Sequence, residues 1–192
     1  MNICVYGASS NAISDEYFTA GERLGKALAK GGHTLVFGAG AGGLMGACAR
    51  GAFSEGGQII GISPEFFNVD GILFENCTEL ILTDTMRSRK QKMEELADAF
   101  VMLPGGLGTF DEFFEILTLK QLGRHNKPMG VLNIKGYFDA LTLMLEKAVS
   151  EKFMLDECLS LFTVSENAEK LISALEQETA SHKAAALHKK LY

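Results

Sequence analysis

Short apolar runs alternate with helix-length amphipathic segments along almost the whole chain. The runs lack a polar face, which is typical of parallel strands buried on both sides. They predict strands at Asn2–Tyr6, Thr34–Phe37, Gln58–Ile62, Glu79–Leu82, Ala99–Leu103, Met129–Leu132 and Leu161–Val164. The segments between them predict helices at Asp15–Lys30, Gly43–Ser54, Arg87–Ala97, Thr109–Leu122, Tyr137–Ser150 and Glu166–Gln177. This alternation predicts an α/β fold in which helices cover both faces of a parallel sheet of about seven strands.

Length and composition fit one such domain. The chain has 192 residues, of which 47% are hydrophobic and 22% charged, so it can bury a full core. We expect a single domain over residues 1–178. The weak apolar pattern of residues 179–192 predicts a C-terminal tail that is either a helical extension or disordered.

Charge and hydropathy limit the classes of partner. The net charge of −6 argues against a general nucleic-acid binder. No apolar run approaches the roughly 18 residues of a membrane span, and the N-terminus begins as a strand without a basic leader. We therefore expect a cytoplasmic protein that binds neither nucleic acid nor membrane. The cysteines and histidines are scattered, which predicts buried thiols and no metal site.

Ligands of open parallel sheets bind beyond the carboxyl ends of the strands, so the loops that follow strands are the places to search. Gly7–Asn11 follows the first strand, and its amides and hydroxyls suit either a phosphate or an ordinary turn capped by Ser14. The stretch "GAGAGGLMGA" after the second strand formally satisfies GxGxxG. It indicates either a dinucleotide site or close helix–strand packing, and only Glu65, beyond a proline, offers the ribose-binding acid.

A basic cluster stands at the start of the third helix, where the sequence reads "MRSRKQK". The positive end of the helix dipole opposes each of Arg87, Arg89, Lys90 and Lys92 by about 0.3–1 kcal/mol. A local rule broken in this way is typical of a functional site, and an anionic ligand would reverse the penalty. The alternative is a solvated charged face.

The fifth strand leads into "LPGGLGTFDEFFE". Glycines at 105, 106 and 108 permit a sharp bend with free amides, and Thr109 is suited to cap the next helix. Together they suit a bound phosphate. Asp111 and Glu115 fit the acidic start of a helix. The pattern alone leaves the role of Glu112 open.

The segments "PGGLGTFDE" (Pro104–Glu112) and "MRSRK" (Met86–Lys90) together resemble the LOG (Lonely Guy) family, whose signature is PGGxGTxxE preceded by a methionine-led RK motif. The stretch "FGAGAGGLMG" is similar to the YGGGxxGLMG of that family, and "YGASS" is similar to its GSSS loop. The matches span Val5 to Glu115 in the family's order.

This resemblance implies a Rossmann-like, doubly wound fold and a homodimer that needs no cofactor. It implies a nucleoside 5′-monophosphate phosphoribohydrolase, which releases free base and ribose 5-phosphate from AMP or from N6-substituted cytokinin riboside monophosphates. By position, Arg89 and Glu112 match the catalytic pair. The residues expected to bind substrate and phosphate are Ser9, Gly40, Met86, Lys90, Gly105, Gly106, Gly108 and Thr109. Members are also labelled lysine decarboxylases, but no lysine here has a setting typical of a pyridoxal phosphate Schiff base.

The sequence departs from the family pattern at Arg87, Ala39 and Leu107, and these departures leave the preferred base open. Two other functions are alternatives to the hydrolase. A non-catalytic carrier of a phosphorylated cofactor would need the glycine loop but not Glu112. An NAD(P)-dependent oxidoreductase would rest on Gly38 and Gly40, and the poorly placed acid counts against it.

Overall fold

The computed structural model describes the backbone of residues 1–191 and the side chains of residues 1–182. Within this part of the chain the strands are β1 Asn2–Tyr6, β2 Thr34–Phe37, β3 Ile59–Pro64, β4 Glu79–Thr83, β5 Ala99–Met102, β6 Met129–Leu132 and β7 Thr163–Ser165. The helices are α1 Asp15–Lys30, α2 Gly43–Ser54, α3 Met86–Leu96, α4 Leu107–Gln121, α5 Asp139–Ser150 and α6 Ala168–Leu191. The predicted α/β fold is confirmed.

The strands form one sheet in the order β4-β3-β2-β1-β5-β6-β7, and every neighbouring pair is parallel. The central strand β1 pairs with both β2 and β5, so that Cys4 lies between Val36 and Phe100. The strand order reverses between β1 and β5. The carboxyl ends of these strands are therefore the expected ligand position of a doubly wound sheet.

Both faces of the sheet are buried, because alternate residues of β1 enter different cores. Ile3 packs in a cluster with Leu24 of α1 and with residues of α2 and α6. Its neighbour Cys4 belongs to a second cluster with Phe113 of α4 and with Met93 of α3. This two-sided burial explains the uninterrupted apolar runs of the strands.

Several predicted boundaries differ from those of the structure. Helix α4 begins at Leu107, two residues before the predicted start at Thr109, because Gly106 takes the cap position with an extended backbone. Strand β3 continues to Pro64, since its pairing with β4 runs to the end of that strand. Helix α6 continues to Leu191, beyond the predicted end at Gln177, so the segment expected as either a helical extension or a disordered tail extends this helix, and Tyr192 lies outside the described residues.

Helix α5 is the least covered element of the sheet's second face, and none of its residues is fully buried. Leu143 and Met144 on this helix are exposed, and so are Phe153 and Leu155 just after it. We call these four residues the α5 apolar set. None of the helices in the described part of the chain combines the length and the apolar character that a membrane crossing requires.

Candidate active site

A cavity of about 590 Å³ opens where the carboxyl ends of β1, β2 and β5 meet. The loop after β1 contributes Gly7–Ser10, and the loop after β2 contributes Gly38 and Gly40. The turn after β5 and the first turn of α4 contribute Gly106–Thr109. The cavity therefore lies at the switch point between β1 and β5, where the topology predicts a ligand.

Arg89 of α3 and Glu112 of α4 form an ion pair in the wall of this cavity. The Arg89 Nη1 atom lies 2.8 Å from Oε1 of Glu112, and both residues are only 7% exposed. The Arg89 Nε–H also donates to the Ile62 carbonyl at the end of β3, at 3.2 Å. The guanidinium is thus fixed by the Ile62 carbonyl as well as by the Glu112 carboxylate, so it holds Glu112 in one orientation.

Gly38 provides the space that the guanidinium occupies. A Cβ atom at Gly38 would lie 1.8 Å from Nη2 and 2.9 Å from Cζ of Arg89. A side chain at this position would therefore displace the guanidinium from its place in the ion pair. Gly38, the first glycine of the GxGxxG match, therefore leaves space for the Arg89 side chain. The sequence alone did not predict this role.

Burial raises the pKa of the Glu112 carboxyl above its ordinary value, and the neighbouring Arg89 opposes that shift. Burial disfavours the charged form, whereas the ion pair favours it. A carboxyl whose pKa is shifted by burial beside a specific charge partner in a cavity is typical of functional sites.

Helix α4 begins at the cavity without a side-chain cap. Its N-cap residue is Gly106, which has no side chain to accept from the first-turn amides. Thr109 was expected to cap this helix, but it lies in the first turn and is buried. Free amides and the positive end of the helix dipole thus adjoin the cavity, an arrangement suited to an anion such as phosphate.

One side of the cavity is apolar. Met45 of α2, Phe67 of the 3₁₀ turn after β3, and Ile72, Leu73 and Met86 contribute to it. The loop that carries Ile72 and Leu73 is tied to the glycine loop, since its Ile72 carbonyl accepts from the Ala41 amide at 2.9 Å. Except for Met86, these residues were missed, and the pair Phe66-Phe67 in a loop was the available signal.

Most of the predicted site residues line the cavity, namely Ser9, Gly40, Met86, Arg89, Gly106, Gly108, Thr109 and Glu112. Two do not. Gly105 lies outside the lining, and a Cβ atom there would meet Thr109 Oγ1 at 2.1 Å. Lys90 points along the surface instead, where its Nζ atom pairs with Asp111 at 3.0 Å and Glu115 at 2.8 Å.

The basic cluster at the start of α3 therefore does not converge on one anion. Lys90 is compensated by the two α4 carboxylates, and Lys92 lies 3.7 Å from Glu95. The first turn of α3 is closed by a reciprocal capping box between Thr85 and Ser88. Of the four basic residues, only Arg89 belongs to the cavity lining.

The chain is similar to known proteins over most of its length. A family model described as "Possible lysine decarboxylase" matches residues 45–175, more than half of the chain. The "Cytokinin riboside 5'-monophosphate phosphoribohydrolase LOG2" of Arabidopsis thaliana is 37% identical over 180 residues, which cover 94% of this chain and 84% of that protein. The "Probable cytokinin riboside 5'-monophosphate phosphoribohydrolase LOG6" of Arabidopsis thaliana is 37% identical over 182 residues, covering 95% and 90%.

Among solved structures, the Moco carrier protein from Chlamydomonas reinhardtii superposes with a TM-score of 0.70 and covers 93% of this chain and 97% of its own. Its sequence identity is 24%, so this likeness shows a shared fold alone. The family match and the plant relatives show the family, because the match spans more than half of this chain and the relatives are aligned over most of both chains. The chain therefore belongs to the LOG (Lonely Guy) family, whose model bears the description of a possible lysine decarboxylase.

Proposed function

We propose that this chain hydrolyses the N-glycosidic bond of nucleoside 5′-monophosphates and releases free base and ribose 5-phosphate. The observation that carries the proposal is the buried Glu112, paired with Arg89 and placed in one cavity with the uncapped start of α4. The names of the plant relatives, which are phosphoribohydrolases of cytokinin riboside 5′-monophosphates, support the same activity.

In this proposal the 5′-phosphate binds at the first turn of α4. The free amides after Gly106 and the helix dipole attract the anion, and Thr109 and Ser9 lie in the same lining. The phosphate is remote from the bond that breaks. Its binding energy therefore fixes the ribose in the cavity and orients it for reaction.

Glu112 then acts on the sugar. Cleavage of a glycosidic bond develops positive charge on the ribose, and a nearby carboxylate stabilises that charge. The bond from C1′ to the base nitrogen breaks, its electron pair leaves with that nitrogen, and a water oxygen bonds to C1′. One proton of the water stays on the new C1′ hydroxyl, and the other is transferred to the nitrogen of the released base. Arg89 holds the carboxylate at 2.8 Å and limits its movement during this step.

The apolar side of the cavity supports a substrate whose base carries an apolar substituent. Met45, Phe67 and Ile72 offer carbon surface there, and burial of apolar substituent area contributes about 25 cal/mol per Å². We infer that an N6-substituted AMP reacts with a higher kcat/KM than AMP. Turnover of both compounds under the same conditions tests this preference.

A cofactor carrier is the second candidate, and its support is the shared fold of the Chlamydomonas protein. A carrier requires a phosphate cradle but has no use for a buried carboxylate facing the sugar. The ion pair of Arg89 and Glu112 therefore favours the hydrolase. Lysine decarboxylation has less support, because no lysine is found among the cavity-lining residues of the described chain.

We also infer that two copies of the chain associate through the α5 apolar set. Met144 is 71% exposed and Phe153 is 88% exposed, and burial of these large apolar side chains against a second copy would stabilise the pair. Sedimentation of the wild type and of Met144→Glu measures this association. The four cysteines are free thiols, which supports a reducing compartment such as the cytoplasm, and cell fractionation tests that location.

The decisive test of the enzyme compares Glu112→Gln with Glu115→Gln. The first change removes a charge from the cavity wall, whereas the second removes one from a surface pair with Lys90. Base release from nucleoside monophosphates should decrease by about 10²–10³-fold for Glu112→Gln, by analogy with other preorganised electrostatic groups. For Glu115→Gln it should stay near the wild-type rate.

Nucleotide affinity separates the two candidate functions. Glu112→Gln should bind nucleotide almost as tightly as the wild type, because the amides of α4 are unchanged. A wild type that binds monophosphates and releases no base would favour the carrier. Full turnover by Glu112→Gln would contradict the assignment of this carboxylate.

A further inference from the structure

Tyr137 reaches the glycine turn from the opposite side of the cavity wall. It precedes α5 and is not a cavity-lining residue. Its hydroxyl donates a hydrogen bond of 2.7 Å to the Gly105 carbonyl, 32 residues away in sequence. This contact therefore joins the start of α5 to the turn that leads into α4.

Two consecutive carbonyls of the turn are held in this way. The Pro104 carbonyl accepts from the Ala8 amide at 3.0 Å, and the next carbonyl, that of Gly105, accepts from Tyr137. In a trans peptide the N–H group points away from the carbonyl of the same plane. Fixing the Gly105 carbonyl toward Tyr137 thus directs the Gly106 amide to the opposite side, and Gly106 lines the cavity.

The Tyr137 ring is itself fixed by aromatic neighbours. Tyr17 of α1 meets it edge to face, with ring centroids 6.3 Å apart, and Phe138 lies at 5.0 Å with the rings nearly perpendicular. Lys135 lies over the Tyr17 ring at 5.8 Å and also pairs with Glu16. Such edge-on contacts restrict the direction of the phenol, so the hydroxyl is presented to the turn although the residue is 42% exposed.

We propose that Tyr137 is a positioning residue for the phosphate site. Its hydroxyl keeps the Gly105 carbonyl turned away from the cavity, so that the amide at the start of α4 meets the anion and the carbonyl oxygen does not. Without that hydrogen bond the peptide plane is free to rotate, and a rotated plane presents a partial negative charge to the phosphate. The identity of the anion as a 5′-phosphate rests on the proposed function.

Tyr137→Phe tests the proposal, because it removes the hydroxyl and preserves the ring that packs on Tyr17 and Phe138. The loss of one hydrogen bond predicts a Kd for ribose 5-phosphate that is about 3- to 10-fold weaker. The KM for AMP should increase by a similar factor while kcat stays within about twofold, since Glu112 is untouched. Calorimetric titration measures the Kd and base release measures the kinetic constants.

Tyr17→Phe is the matched control. It removes a hydroxyl from the adjacent ring, and that hydroxyl makes no hydrogen bond to the described residues. The control should bind ribose 5-phosphate as the wild type does. Titration with adenine, which has no phosphate, should give equal Kd values for all three proteins.

Other outcomes overturn the proposal. An unchanged Kd for ribose 5-phosphate in Tyr137→Phe would show that the turn holds its conformation without the hydroxyl. An equal loss of affinity for ribose 5-phosphate and for adenine would show a general loosening of the cavity. If the wild type binds ribose 5-phosphate but releases no base, the proposed function fails, and the Kd values alone still decide the role of Tyr137. If the wild type binds no ribose 5-phosphate, both fail.

Discussion

A methyl group added at Gly38 would displace Arg89 without altering either charge of the buried pair. The Cβ atom of Gly38→Ala would lie 1.8 Å from Nη2 and 2.9 Å from Cζ of Arg89, and the guanidinium cannot remain at either distance. The backbone at this position is not in the left-handed region, so alanine itself introduces no backbone strain. The substitution therefore isolates the position of Arg89 as the variable.

The expected cost follows from the contacts that are lost. Displacement breaks the 2.8 Å contact with Glu112 and the 3.2 Å hydrogen bond to the Ile62 carbonyl. Breaking a buried ion pair costs about 3–5 kcal/mol. The replacement of glycine by alanine returns about 0.4–1 kcal/mol by restricting the unfolded chain. We expect a net destabilisation of about 2–4 kcal/mol, which lowers Tm by about 4–16 °C for a chain of this size.

Base release and thermal unfolding are the assays, and a double-mutant cycle with Arg89→Ala provides the control. In the wild-type background, Gly38→Ala should reduce turnover by about 10²-fold or more, because Glu112 loses the group that orients it. In the Arg89→Ala background the methyl group occupies vacated space, so the additional loss of stability should stay below about 0.5 kcal/mol.

Two results would refute this reasoning. Gly38→Ala with wild-type turnover and Tm would mean that Arg89 has another position in which it supports Glu112. Equal losses in both backgrounds would mean that the methyl group acts on something other than Arg89.

Three further predictions concern the charges of Glu112 and Lys90. Because burial raises the pKa of Glu112 above the ordinary 4.5, the folded state binds its proton more tightly than the unfolded chain. The contribution of Glu112 to the free energy of unfolding is then full below pH 4.5 and decreases as pH rises from 4.5 through the raised pKa. Urea unfolding over this pH range should therefore show the wild type losing stability relative to Glu112→Gln. The acid limb of the pH–rate profile should likewise lie above pH 4.5, and a limb at or below it would contradict the shift. Lys90→Gln should reduce the free energy of unfolding by less than about 1 kcal/mol and leave the Kd for ribose 5-phosphate unchanged, since Lys90 pairs with exposed carboxylates. A marked loss of affinity would show that Lys90 contacts the phosphate.

The fold could be predicted in detail because its signal is local and repeated. Each buried strand shows as a short apolar run, and the intervening helices show the 3.6-residue period, so element types and order were right. The boundary error that bears on the site lies at a glycine. The start of α4 was placed at Thr109 because a threonine is a common cap, whereas Gly106 holds that position and leaves the first-turn amides free.

The site could be predicted only in part. The family motif identified Arg89 and Glu112, and the order of the loops placed most of the other residues at one edge of the sheet. The apolar side of the cavity was missed, because Phe67 and Ile72 come from a loop whose path is determined by contacts with the glycine loop. Such contacts between distant segments leave no periodic pattern in the sequence.

The sequence by itself determined the parallel sheet and the short list of loops that follow the carboxyl ends of its strands, because backbone periodicity and chain order are sufficient to specify them. Only the tertiary structure decided the strand order, which puts the switch point between β1 and β5, and the direction of each side chain at that edge of the sheet. Arg89 and Lys90 are adjacent in sequence, yet one enters the cavity and the other joins Asp111 on the surface. Successive residues of a helix point about 100° apart, so the packing of α3 on the sheet determines which charge is buried. In that packing the Arg89 guanidinium fills the space that a side chain at Gly38 would need.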